Sequence, residues 1–244
     1  MDLIEDIIDV ETSDGTMAVV HKRPTGGDSF PRVAIFMDAP GIRPALHDFT
    51  AKLAAEGYDI IVPDLYHREV RLFGVEPAQR AADPSLAARI GELMATLTDE
   101  GIQSDLDDAM DAVAITSDDK VGVIGFCLGA RAVSRTMMRL PDQAVAGAMW
   151  HPSLLTDDND DSPHLSIGDL TGQLYIGIGT ADQVQSIESH KRYFDVIESM
   201  DNVELEIFEG ADHGFTWPGY PTYQQNASDT CFAKTTTLFG AALG

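Results

Sequence analysis

VGVIGFCLGAR, residues 121–131, carries an apolar strand directly into Gly125-Phe126-Cys127-Leu128-Gly129. The pattern Gly-x-Cys-x-Gly puts a thiol on a sharp turn between a strand and a helix. A nucleophile on such a turn takes an unfavourable backbone conformation. The residues two before and two after it must be small for strand and helix to pass. Gly125 and Gly129 meet that need. The thiol then stands at the N-terminus of a helix beginning near Leu128, where the helix dipole favours a thiolate. A buried structural cysteine flanked by chance glycines leaves the same five letters, so the reading rests on what surrounds them.

Outward from the turn, short apolar runs alternate with helical patterns, the signature of a mostly parallel sheet covered by helices. Residues 4–11 and 17–21 read as an opening pair of strands turning at Asp14-Gly15. Strands follow at 33–37, ended by Ala39-Pro40-Gly41, and at 59–62, stopped by Pro63, with a helix over 45–56 between them. The pattern loosens from 64 to 99, where LYHREVRLFGVEPAQR precedes an amphipathic helix near 85–97. This stretch reads as a helical excursion near the active site. A helix over 101–115 has Thr98 as N-cap and Glu100 in its first turn. Beyond the 120–125 strand and the 128–140 helix, strands are expected at 145–150, 174–179 and 203–208, and helices at 187–200 and 222–242. No repeat or long linker interrupts the 244 residues, which read as a single α/β domain.

A cysteine nucleophile needs a base, and the base needs an orienting carboxylate. Open α/β sheets place their sites at the carboxyl ends of strands. Asp182 follows the 174–179 strand in Gly-Thr-Ala-Asp. His213 follows the 203–208 strand in Glu-Gly-Ala-Asp-His-Gly-Phe. Both stand in the order nucleophile, acid, histidine. Asp182 also suits a helix N-cap. His151, just past a strand and before a proline, is the best rival among six other histidines, and Asp212 is a rival acid beside His213. The spacing favours Cys127, Asp182 and His213 as the catalytic trio.

Composition narrows the partners. Forty acidic residues against 16 basic ones give a formal net charge of −24. Nucleic acid and anionic membranes are excluded as partners by that field. A surface this acidic fits either plain solvation or adaptation to high salt. Two cysteines are too few for a disulfide framework and point to a reducing, cytoplasmic setting. The acidic start MDLIEDIIDVE lacks the features of a signal peptide, and no run approaches the roughly 18 apolar residues of a membrane span.

IFMDAPGIRP at 35–44, VPDLYHR at 62–68, the Cys127 turn, DSPHL at 161–165, GTAD at 179–182 and HGF at 213–215 together make the chain resemble the dienelactone hydrolase family, in a bacterial subgroup of dienelactone hydrolase-like proteins. The resemblance implies an α/β-hydrolase fold and a Cys-His-Asp triad of Cys127, His213 and Asp182. It implies an oxyanion hole formed by the backbone N–H groups of Leu128 and Ala39. In this family a glutamate after the first long parallel strand meets the resting nucleophile. That position falls on Asp38, one methylene shorter, which is expected either to take the thiol's proton or to hold the cysteine in an off state. The family also receives the substrate carboxylate on two arginine positions. Arg68 and Arg71 stand where one is expected, but FTWPGYP after His213 contains no arginine for the other. Phe126, Trp150, Phe215, Trp217 and Tyr223 are candidates to line an apolar pocket.

The expected reaction is hydrolysis of a small lactone or carboxylic ester through a thioester acyl-enzyme, by a monomer or homodimer without cofactor or metal. The missing arginine keeps a second reading open, acyl transfer or related chemistry on another carbonyl compound. A non-catalytic small-molecule binding protein is the third.

Overall fold

A computed structural model describes residues 2–26 and 29–244. They form two compact units that meet in sequence between Asp119 and Lys120.

In the first unit, β1 (Leu3–Thr12) and β2 (Gly15–Pro24) make an antiparallel hairpin, with Thr12 opposite Gly15 and Leu3 opposite Pro24. Gly15 takes a φ of +122°, which the tight turn requires and a side chain would resist. β2 pairs antiparallel with β4 (Asp59–Pro63), and β4 pairs parallel with β3 (Arg32–Phe36). Val33, Ala34, Ile35 and Phe36 are fully buried, as a continuous apolar run in a parallel strand should be. Helix α1 (Pro44–Ala55) starts on a proline, whose missing N–H costs nothing there, and ends before Gly57.

The loosely patterned segment contains α2 (Pro77–Ala82) and α3 (Ser85–Met94), followed by α4 (Asp99–Ala112). Thr98 caps α4, its hydroxyl accepting from Gly101 N–H at 3.0 Å. Helix α2 was not expected. It buries none of its side chains, so it carries no apolar period to read. Ahead of it, the buried Asp64 carboxylate gathers a turn by accepting from Tyr66 N–H at 3.2 Å and Leu72 N–H at 2.5 Å.

The second unit is wholly parallel: β5 (Val121–Phe126), β6 (Ala144–Trp150), β7 (Gln173–Gly179) and β8 (Val203–Phe208) lie side by side in chain order. Helices α5 (Gly129–Arg139), α6 (Lys191–Ile197) and α7 (Gln225–Leu243) connect or follow them. A Cβ on Gly125 would collide with Gly129 of α5, whereas one on Gly122 would meet Phe239 and Leu243 of α7. Residues 122 and 125 point to opposite faces of a strand, so helices cover both faces of this sheet. Helix α6 is shorter than expected because its first turn, Glu188–His190, is wound as a 3-10 helix. The second thiol, Cys231 on α7, is fully buried. It accepts from the Tyr175 hydroxyl at 3.5 Å, and a Cβ on Gly177 would come within 2.7 Å of its sulfur.

Candidate active site

The elbow is built as its letters demand. Cys127 has a φ of +52°, a conformation that costs an L-residue about 1–3 kcal/mol and persists only where its surroundings enforce it. Several contacts do so. Cys127 N–H donates to the Trp150 carbonyl at 3.2 Å, and the Cys127 carbonyl accepts from Ala130 N–H at 3.1 Å and Ser153 N–H at 2.9 Å. Gly125 has no alternative, since its Cβ would lie 2.2 Å from the Gly129 carbonyl oxygen. The next residue, Leu128, is the N-cap of α5, which brings the helix N-terminus beside the sulfur. Cys127 itself is 8% exposed.

Asp182 and His213 meet on the loops after β7 and β8. His213 Nδ1 lies 2.7 Å from Asp182 Oδ2, and the carboxylate side chain is fully buried. The other oxygen of Asp182 accepts from Val184 N–H at 2.9 Å and Gln185 N–H at 2.7 Å. One oxygen of Asp182 thus meets the His213 ring and the other closes a turn in the loop; it caps no helix, since His190 is the N-cap of the helix that follows. The rival acid Asp212 serves the backbone instead. Its Oδ1 accepts from Gln183 N–H at 2.8 Å and His213 N–H at 2.7 Å, tying the two loops together.

Burial pulls the His213 pKa down. The hydrogen bond to Asp182 and the nearby Cys127 side chain outweigh it and push the pKa up to about 10. The net effect favours the protonated ring. Its Nε2 is buried and makes no hydrogen bond. The Cys127 sulfur lies 3.4 Å from Ser153 Oγ.

The other histidines of this unit are engaged elsewhere. His151, at φ +40°, pairs through Nε2 with Thr216 Oγ1 at 2.8 Å and sets its ring edge-on to His213 at 5.1 Å. His190 Nε2 donates to the Pro152 carbonyl at 3.0 Å, and burial lowers its pKa. His164 pairs with Ser162. Phe126, Trp150, Phe215 and Trp217 are all buried and pack on one another or on His151. Trp150 is further anchored by its indole N–H on Thr235 Oγ1. These rings form a floor rather than an open lining. The exposed apolar side chains of this unit's loops include Leu154, Leu165 and Val184, and Leu154 N–H donates to Gln185 Oε1 at 3.4 Å.

Asp38, Ala39, Arg68 and Arg71 belong to the first unit. Asp38 is buried, and both its oxygens are taken by the buried Arg43 guanidinium, Oδ2 at 2.8 Å from Nη2. Ala39 offers its carbonyl to the Tyr66 hydroxyl at 3.0 Å. Arg68 forks onto Asp105 with two contacts of 2.8 Å and also reaches Asp14. Arg71 pairs with Asp9 at 2.5 Å. Arg43 and Ser153 are the residues that sequence reasoning passed over. An arginine in Ile-Arg-Pro and a serine three residues past a strand end look like ordinary loop residues. Among the described residues no group of histidine, cysteine and carboxylate side chains could hold a metal ion, and no helix is long and apolar enough to cross a membrane.

A model of the dienelactone hydrolase family matches residues 17–243. A Salmonella typhi protein bearing the provisional name carboxymethylenebutenolidase is 25% identical over 228 residues, 90% of this chain and 80% of that one. Carboxymethylenebutenolidase of Rhodococcus opacus is 32% identical over 116 residues, 47% of this chain and 41% of its own. A crystal structure from Klebsiella pneumoniae, provisionally named a dienelactone hydrolase, superposes with a TM-score of 0.83 at 21% identity, covering 98% of this chain and 99% of that one. At that identity the likeness carries the fold, which is that of the α/β-hydrolases.

Proposed function

Because the chain belongs to the dienelactone hydrolase family and is a hydrolase, we propose that it cleaves a small lactone or carboxylic ester with Cys127, His213 and Asp182 as nucleophile, acid–base and orienting carboxylate. One observation carries this reading. A cysteine in a strained elbow shares a unit with a His213–Asp182 pair, and the Cys127 side chain is among the influences that raise the His213 pKa. The family model's span across both units favours one catalytic domain.

In this reading the Cys127 thiolate adds to the ester carbonyl. The oxyanion is received by the Leu128 N–H and a second backbone donor. Losing one such donor typically costs about 3 kcal/mol, a hundredfold or more in rate. The tetrahedral intermediate collapses as His213 Nε2 gives its proton to the departing alkoxide, leaving a thioester on Cys127. A water then adds to the thioester, His213 takes its proton, and the sulfur leaves with the bonding electrons. Asp182 holds Nδ1–H throughout, so Nε2 faces the chemistry in both steps.

The same reading favours neutral substrates. Arg68 and Arg71 are committed to carboxylates of their own unit, and the net charge of −24 repels anions. Asp38 is committed to Arg43 within its own unit. Both cysteines are free thiols, which fits a reducing cytoplasmic setting, and the proposal extends to that location.

Hydrolysis of p-nitrophenyl acetate by wild type and Cys127→Ala tests the reading. Loss of turnover with Cys127 is expected, and unchanged turnover refutes it. A panel of neutral enol lactones against carboxylate-bearing dienelactones then reads substrate charge, with faster turnover of the neutral set expected.

A further inference from the structure

Three residues of the second unit other than glycine have positive φ: Cys127 at +52°, His151 at +40° and Leu154 at +63°. Two of them bracket Ser153. Strain of this kind persists where surrounding contacts over-determine the backbone, and it collects at working sites. The bracketing segment is pinned at every step. His151 N–H donates to the Gly177 carbonyl at 2.8 Å, and His190 holds the Pro152 carbonyl at 3.0 Å. Ser153 N–H donates to the Cys127 carbonyl at 2.9 Å, and Arg131 holds the Leu154 carbonyl at 3.0 Å while also pairing with Asp157. All this places one hydroxyl: Ser153 Oγ, whose hydrogen-bond partner among the described residues is the Cys127 sulfur at 3.4 Å. Ser153 is 4% exposed, so water does not compete for that hydroxyl, and a buried hydroxyl without a partner is costly.

We propose that Ser153 is a further catalytic residue, whose hydroxyl donates a hydrogen bond to the Cys127 sulfur as that sulfur is expelled from the acyl-enzyme. The proposal rests on Cys127 being the nucleophile. A thiolate has no proton to give, so beside it the hydroxyl is the donor. Hydrogen bonds to ionised groups are the stronger kind. In deacylation, water adds to the thioester carbonyl and its proton passes to His213 Nε2. The C–S bond then breaks, and its electron pair stays on Sγ. Ser153 keeps its own proton and points it at the sulfur where negative charge is appearing. A donor aimed at developing charge lowers that barrier. In acylation the same hydrogen bond is present before the attack and weakens as sulfur gives up its electrons, so it does not help that step. Ser153 therefore acts selectively on release of the acid.

The test is pre-steady-state hydrolysis of p-nitrophenyl acetate, with the acyl-enzyme on Cys127 followed by mass spectrometry. For Ser153→Ala, kcat is expected to fall about tenfold or more. KM should fall in parallel, with kcat/KM nearly constant and acylated Cys127 accumulating. Ser153→Thr, which keeps the hydroxyl, should deacylate near the wild-type rate. Wild-type deacylation in Ser153→Ala overturns the proposal. So does an equal loss of burst rate and steady-state rate that Thr does not restore while both variants melt like wild type, because that is the mark of a merely structural serine. If wild type itself never acylates Cys127, the nucleophile assignment falls and this proposal with it, a result distinct from wild-type deacylation in the alanine variant.

Discussion

Asp182→Asn is the sharpest probe of the site, because the side chain does two jobs with two different oxygens. Oδ1 accepts from Val184 and Gln185 N–H, and Oδ2 accepts from His213 Nδ1. An asparagine retains a carbonyl oxygen for the backbone pair and presents an amide NH2 to the ring. Folding is therefore spared, while the imidazole is driven to the tautomer that carries its hydrogen on Nε2, the wrong side for a base. The electrostatic effect follows from His213. Its pKa stands at about 10 against an ordinary 6.5. At ~1.4 kcal/mol per pH unit that difference is worth about 5 kcal/mol, which Asp182 and Cys127 supply between them against burial. A charge-assisted hydrogen bond contributes about 1.5–3 kcal/mol of such a sum. Removing the Asp182 charge should then lower the alkaline limb of the pH–rate profile by about one to two pH units. At neutral pH, kcat/KM should fall by at least a hundredfold, with the unfolding midpoint in urea nearly unchanged. The assay is p-nitrophenyl acetate turnover from pH 6 to 11 beside urea unfolding of both proteins. An unmoved alkaline limb with activity within a few fold of wild type refutes the assigned role of Asp182.

The His213 pKa is raised on folding, so its stabilising contribution is full below pH 6.5 and is lost as pH rises through about 10. Urea midpoints of wild type should fall across that window, and His213→Gln should flatten the dependence. Gly125→Ala forces a Cβ against the Gly129 backbone, which has no side chain to swing aside. We expect a loss of about 2–3 kcal/mol. That corresponds to a melting temperature lower by about 5–10 °C, and an unchanged melt would disprove the close approach. Arg43→Met leaves the buried Asp38 carboxylate uncompensated and should cost about 3–5 kcal/mol in chemical denaturation. Adding Asp38→Leu should restore much of the loss.

The succession of strands, and the positions of Cys127, Asp182 and His213 just past strand ends, were legible because both depend on short-range grammar. β5 is apolar throughout, the turn after it is spelled in glycines, and Asp182 and His213 each follow their strand within a few residues. What stayed hidden depends on contacts distant in sequence. Ser153 reaches the sulfur across 26 positions, and nothing in Trp-His-Pro-Ser distinguishes a placed hydroxyl from a solvated one. Arg43 sits in a loop yet is as buried as a core side chain, because Asp38 neutralises it locally. The arginines expected to await a substrate carboxylate illustrate the reverse. Arg68 lies in a segment rich in charge, and its partner Asp105 comes from a helix 37 positions away, inside an acidic run that reads as solvated surface. Helix α2 escaped because periodicity reports burial, and this helix has none.

Cys231 gives the chain a practical property. Its pKa is pushed up to about 12 by burial, and its sulfur is enclosed between Tyr175 and the backbone at Gly177. With Cys127 as the proposed nucleophile, a maleimide or iodoacetamide offered to the folded protein is expected to meet one reactive sulfur although the chain holds two. On that assignment the unaltered protein is a single-site target for labelling. One equivalent of probe reports on the elbow, and uptake of a second marks the moment α7 comes away from its sheet.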